Sequence, residues 1–202
     1  MRIKDNVLES LGYFGPVLNL FDEKKFLHSL KRRLILIEGR HNTLSDLAVD
    51  RFSNEKLLQL EVMSIISKMR NTVDYLPEKS YNNRSKDKCD FWFKNYGSEY
   101  WMEMKMCPTN YKKEIRHAKA VTDSINSIIN DVNRLKGVDG KRYILFAVYP
   151  MYEDRKAFFA KYLDKIAHEI AQEAKVKPEP NFEIKLNGDA HGGVFMIYLL
   201  KM

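Results

Sequence analysis

The run Lys88-Cys89-Asp90-Phe91-Trp92-Phe93-Lys94-Asn95-Tyr96-Gly97-Ser98-Glu99-Tyr100-Trp101-Met102-Glu103-Met104-Lys105-Met106 decides how this chain is read. Asn95-Tyr96-Gly97-Ser98 has turn chemistry, and the apolar stretches on either side make it a β-hairpin. In the second strand Met102, Met104 and Met106 share one face and Trp101, Glu103 and Lys105 the other, because side chains alternate along a strand. Residues two apart lie about 6.6 Å apart on the same side. An acid and an amine are therefore set side by side on a strand that is otherwise apolar on both faces. A hairpin also returns its first strand antiparallel to its second, so Asp90 is expected near the end that carries Glu103 and Lys105.

Working outward, a helix is expected to open at Ser53 and to carry Leu57, Leu58, Leu60, Val62, Met63, Ile65, Ile66 and Met69. It is apolar around most of its circumference and so should be buried on more than one side. Glu61 sits within that apolar surface, where a carboxylate is costly unless it is paired, hydrogen-bonded or metal-bound. Glu55 is the alternative helix acid, although an acid in a first turn is explained by the helix dipole alone. A short strand over residues 72–76 and a polar loop over 77–88 follow, the loop carrying Lys79, Arg84, Lys86 and Lys88. Beyond Pro108 a long amphipathic helix places Ile115, Ala118, Val121, Ile125, Ile128, Val132 and Leu135 at three- and four-residue spacing. Residues 143–149 form a continuous apolar strand of the kind buried on both faces. A helix over 153–175 and two strands, 182–186 and 194–200, complete the chain. This order predicts an α/β domain with a mixed central sheet and helices on both faces.

The 202 residues suit one domain of ordinary globular composition, with 45% hydrophobic and 30% charged residues. We divide it into a helical N-terminal appendage, residues 1–52, packed on a core of residues 53–202. The net charge of +7 favours a polyanionic partner without proving one. No run of 18 apolar residues is present, so a transmembrane helix is not expected. The N-terminal apolar stretch, broken by Glu9, Gly12, Gly15 and Pro16, does not read as a secretory signal. Two cysteines, Cys89 and Cys107, fit neither a disulfide framework nor a zinc ribbon, which points to a reducing, cytoplasmic setting.

Two carboxylates at one end of a hairpin, Asp90 and Glu103, suit a hard divalent cation such as Mg2+, with Mn2+ as substitute, because such ions take oxygen ligands. Lys105 beside them can orient a water or offset charge building on a phosphate. Glu61 would add a further ligand. The acid-x-lysine string alone is uninformative, since it recurs, for example at Glu183-x-Lys185. There the charges face solvent; the placement of Glu103 and Lys105 on a doubly apolar strand behind an Asp-led one carries the case. The basic residues Lys86 and Lys88 of the loop, and Lys112, Lys113, Arg116 and Lys119 of the following helix, adjoin this centre in sequence and are candidates for contacting phosphates.

A helix with an internal Glu, an Asp-led strand, Glu-x-Lys on the next strand, then a long helix and another strand resembles the PD-(D/E)XK nuclease superfamily, the restriction-endonuclease-like fold. The resemblance covers roughly residues 53–150. Cys89, not proline, precedes Asp90, a departure that the family tolerates. The resemblance implies a three-layer domain and Mg2+-dependent hydrolysis of DNA, of restriction, defence or repair type, with Asp90 and Glu103 as metal ligands. It also implies Lys105 as the catalytic lysine, Glu61 as the helix acid, and a homodimer as a route to double-strand cuts. RNA as substrate stays open, and so does a non-catalytic binding module with the same fold.

Overall fold

Apolar alternation on the central strands sorts their side chains into two cores, one on each side of a sheet. The computed structural model describes residues 21–50, 54–70, 72–81, 86–109, 121–170, 179–189 and 191–202. These form α1 (Glu23–His41), α2 (Thr43–Asp50), α3 (Glu55–Ile66), β1 (Thr72–Ser80), β2 (Lys88–Asn95), β3 (Ser98–Pro108), α4 (Val121–Lys136), β4 (Lys141–Met151), α5 (Glu153–Ile170), β5 (Phe182–Lys185) and β6 (Val194–Lys201). The strands make one open mixed sheet in the order β1-β2-β3-β4-β6-β5. β1, β2 and β3 form an antiparallel meander, β3 and β4 run parallel across the α4 connection, and β6 is antiparallel to both β4 and β5. The chain is thus α/β.

Tyr100, Met102, Met104 and Met106 of β3 join one core with Leu58 and Val62 of α3 and Leu30 and Leu34 of α1. Trp101 and Cys107, of the opposite parity, join the other core with Ile125, Ile128 and Val132 of α4 and Phe159 and Ile166 of α5. Helices therefore cover both faces. The first core is dense in rings: Phe93 stacks on Tyr100 at 4.6 Å between centroids, and Phe21 meets Phe93, Tyr100 and Tyr143 edge-on.

Helices α1 and α2 are built into that core. Asp22 caps α1 by accepting from the Lys25 amide at 3.0 Å. Glu38, at the far end of α1, is buried, and a buried carboxylate needs donors. It accepts from the amides of Leu44 (2.9 Å), Ser45 (3.0 Å) and Asn187 (2.7 Å), and from the Ser45 hydroxyl. One side chain thus caps α2 and ties it to the turn between β5 and β6. Residues 1–20 of the proposed appendage lie outside the described residues.

Two elements, β1 and α3, differ in extent from expectation. β1 continues through Pro77 to Ser80, where a loop was expected, because it is the edge of the sheet. An edge strand tolerates a missing N–H and needs no apolar alternation, so its sequence looks like loop. α3 stops at Ile66, before Met69, which the expected helix included. α4 and α5 are described only from Val121 and to Ile170, and the remainder of both expected helices falls outside the described residues. Among the described residues no helix is long and apolar enough to cross a membrane.

Candidate functional site

The β2–β3 ladder is regular from Asn95↔Ser98 to Phe91↔Met102 and ends there. Beyond it the two strands diverge, which leaves the Met104 amide without a cross-strand carbonyl. Asp90 supplies the acceptor instead: its Oδ2 takes the Met104 N–H at 2.7 Å. The Asp90 amide in turn faces Glu103 Oε2 at 3.4 Å. Asp90 and Glu103 are thereby held together in the fork between the strands, with Glu103 only 1% exposed.

Two helices close over this fork. From α3, Gln59 donates its amide to the Asp90 carbonyl at 2.7 Å, and Glu55 lies 3.3 Å from the Lys105 ammonium. From α4, Asp131 lies 3.6 Å from the same ammonium and pairs with Arg134, whose guanidinium is 3.6 Å from Glu103. Tyr81, just after β1, donates its hydroxyl to Glu103 and stacks on Trp101 at 5.8 Å. Lys105 therefore bridges α3 and α4, and Glu103 is bracketed by Asp90, Tyr81 and Arg134.

Among the described residues, the four acids Asp90, Glu103, Glu55 and Asp131 crowd around Lys105 and Arg134, and Lys56 adds its charge near Asp90 and Glu55. Burial, then the hydrogen bond and the like charge of Asp90, push the Glu103 carboxyl up to about 9. Burial pushes Asp131 up to about 6, although Lys105 and Arg134 pull it down. Burial works against the Lys105 charge as well, but Asp131, Glu55 and Asp90 outweigh it and hold the ammonium above the usual lysine range. Lys105 is therefore a donor at neutral pH and not a base. Among the described residues, Asp131 Oδ2 is buried without a hydrogen-bond partner, and the Lys105 ammonium lies 3.6 Å from it.

Asp90, Glu103 and Lys105 are thus brought together. Glu61 is not: its carboxylate pairs with Arg33 of α1. Glu55 and Glu61 are six residues apart, which at 100° per residue turns the second about 240° from the first. The face that carries Glu55 and Gln59 meets the fork, and Glu61 faces α1. Lys86 is exposed, and Lys88 is an exposed residue 3.7 Å from Glu78. Lys112, Lys113, Arg116 and Lys119 lie outside the described residues. Lys79 is spent on packing, its ammonium 3.2 Å from the centre of the Trp92 ring. Cys89 is buried against the Phe91 and Met102 carbonyls, with its thiol pushed up to about 12 by burial and the charge of Glu103.

Sequence reasoning passed over Asp131, Arg134 and Tyr81. A signal for Asp131 exists. It lies three residues after Ile128 and four before Leu135, inside the apolar stripe of α4, and an acid in that position needs a reason. Arg134 follows at i+3, where a partner belongs. Tyr81 carries no such signal, because the β1 edge that delivers it has no readable pattern.

The two β-strand carboxylates form an all-oxygen donor set of the kind a hard divalent cation takes, and Mg2+ is commonly held by one or two carboxylates with waters completing its shell. Among the described residues, no group of three or more His, Cys, Asp and Glu side chains is placed to hold a metal ion. The fit to Mg2+ therefore rests on Asp90 and Glu103 and on the crowding of acids around them. No protein-family model, curated protein or solved structure matches the chain.

Proposed function

We propose that this chain is a metal-dependent nuclease of the restriction-endonuclease-like kind, hydrolysing phosphodiester bonds in DNA. The observation that carries the reading is that Asp90 and Glu103 meet in the fork where β2 leaves β3, with Lys105 beside them, held by Glu55 and Asp131 and within reach of the Asp90 charge. Asp90 and Glu103 would hold the cation, which supplies Lewis-acid polarisation of the phosphate and neutralises its charge. Water attacks phosphorus in line, and the P–O bond opposite to it breaks. The Lys105 ammonium, kept protonated, donates to the attacking water or to a phosphoryl oxygen and so orients the first or offsets charge on the second. Glu55 and Asp131 fix the ammonium from either side, so that it does not need to be ordered during the reaction. Arg134 and Tyr81 hold the Glu103 carboxylate.

The test is incubation of the purified chain with supercoiled and single-stranded DNA in Mg2+, Mn2+ or EDTA. Cleavage with either cation, its loss in EDTA, and a fall of about 100-fold or more for Lys105→Ala and Asp90→Asn are expected for groups that act in the transition state. Cleavage at full rate by Lys105→Ala would remove the mechanism.

A second reading is a non-catalytic binding module in which the cluster is a structural network. The extensive pairing of Lys105, Arg134 and Tyr81 favours it. It is separated from the first by Mg2+ titration, since it requires salt-sensitive DNA binding with no cation uptake at Asp90 and Glu103.

A further inference from the structure

A cleft of about 910 Å3 opens at the other end of α3, between the last turn of that helix, the outer face of α1 and the β2–β3 turn. Glu55 of the cluster and Ile65 of the cleft are ten residues apart along α3, about 15 Å at 1.5 Å per residue. Its floor is apolar, with Leu36, Ile65 and Met69 lining it, and Leu36 is 46% exposed. Its rim carries the exposed cations Arg32, Lys68 and Arg70, which have no carboxylate partner among the described residues. The charges of Lys25 and Arg33, also on the cleft, are instead matched by Asp22 and Glu61. Tyr96 stands at the hairpin turn with φ at 47°, half-buried on the edge of the cleft. The neighbouring Asn95 amide donates to the Arg70 carbonyl at 3.3 Å and to the Thr72 hydroxyl at 3.2 Å, which locks the turn to the segment carrying Arg70.

Unmatched cations around a concave apolar floor select an anion with an apolar, planar part. Duplex DNA presents phosphates on a convex surface with its bases stacked inside, so it would meet the rim and leave the floor empty. A single strand offers phosphates to cations and unstacked bases to apolar and aromatic surface at once. We propose that this cleft binds single-stranded nucleic acid, its phosphates on Arg32, Lys68 and Arg70 and a base against Tyr96 and the Leu36–Met69 floor. The inference rests on the nuclease reading only in expecting a nucleic-acid partner, and it concerns a different surface.

The experiment is fluorescence anisotropy of a labelled 15-residue oligothymidylate with the full chain in EDTA, over a series of salt concentrations, beside a duplex of equal length. The single strand should bind tighter than the duplex. Arg32→Glu/Arg70→Glu should weaken its binding at least tenfold and flatten the log–log salt slope by about 1.4, two contacts at ~0.7 each. Tyr96→Ala should weaken it about fivefold or more with the slope unchanged, since stacking is not a counterion effect. Urea midpoints matching the wild type establish that the variants are folded, and Lys68→Glu provides an independent substitution on the rim. Unchanged binding by the charge-reversed variants overturns the proposal. So does equal duplex binding that ignores Tyr96→Ala, and so does polyglutamate binding that depends on the rim while the oligonucleotide does not bind. If the oligonucleotide binds through the cleft but no DNA is cleaved with any cation, the nuclease reading fails and this one stands; metal-dependent cleavage with unchanged binding by Arg32→Glu/Arg70→Glu gives the reverse.

Discussion

Glu103→Gln should make the folded chain more stable at neutral pH while it removes cleavage. Glu103 is buried beside Asp90, and its carboxyl rises from an ordinary 4.5 to about 9. A raised carboxyl means that the folded state binds a proton that the unfolded state has released, so this group's contribution to stability is complete below pH 4.5. It is lost progressively as pH rises from there towards 9. At pH 7 the gap is about 2.5 pH units, which at 1.36 kcal/mol per unit comes to ~3 kcal/mol as an upper value. Glutamine keeps an oxygen for the Tyr81 hydroxyl and turns a repelling oxygen into an amide that can donate to Asp90, so it should recover much of that amount. For a chain of this size ~3 kcal/mol corresponds to roughly 6–12 °C in melting temperature. The assay is urea unfolding of both proteins in EDTA at pH 5, 7 and 8.5. The two curves should nearly coincide at pH 5 and separate as pH rises, the variant standing higher. Mg2+ should then raise the wild type by ~2.7 kcal/mol at 100 times its dissociation constant, and the variant by far less. Parallel pH profiles, or a variant less stable than the wild type at every pH, would refute the claim that Glu103 is a repelled, buried carboxylate.

Lys105→Ala should instead destabilise the fold by about 3 kcal/mol, because it leaves buried Asp131 without its ammonium; urea unfolding beside the cleavage assay shows both losses in one variant. Glu61→Gln should cost about 1–3 kcal/mol, the loss of one side of a largely buried pair with Arg33, and leave cleavage intact because that pair lies away from the fork. Glu55→Gln should lower kcat because it releases Lys105 on one side, and equal activity of both glutamate variants would remove Glu55 from the site. Leu30→Ala should cost about 2–5 kcal/mol by calorimetry or urea, the usual result of a cavity in a packed core, since α1 shares the core under the sheet.

The fold was legible where pattern and burial coincide. Even and odd positions of β3 go to opposite cores, so the parity of Trp101, Glu103 and Lys105 could be read directly from alternation. β1 could not, because an edge strand exposed on both faces has no alternation to show, and with it went Tyr81. The site was legible on the strands, where a two-residue period leaves one geometry. On α3 it was not. Glu61 stands out by its apolar neighbours, yet those neighbours face both α1 and the sheet, and only the helix's rotation, set by packing, decides which acid meets the fork. Composition around a residue gives its burial; phase gives its direction, and a helix apolar almost all round conceals its phase.

The charge balance bears on which reading of the cluster is the stronger one. A network retained for stability would be expected to match its charges, because uncompensated buried ions cost several kcal/mol and an apolar replacement often does as well. Here four acids crowd together, Glu103 is pushed up to about 9, and among the described residues an Asp131 oxygen is buried without a hydrogen bond. Elsewhere the same chain satisfies a buried acid fully, as Glu38 shows with three backbone amides and a hydroxyl. A sequence able to satisfy Glu38 completely leaves Glu103 and Asp131 in the fork with raised carboxyls. Features that oppose folding and persist in a single fork are those that function most often accounts for. A divalent cation bound there would favour the ionised form of Glu103 and match the charge so released, and this is why Mg2+-dependent stability of the wild type, absent from Glu103→Gln, weighs more for the proposed function than any single contact in the site.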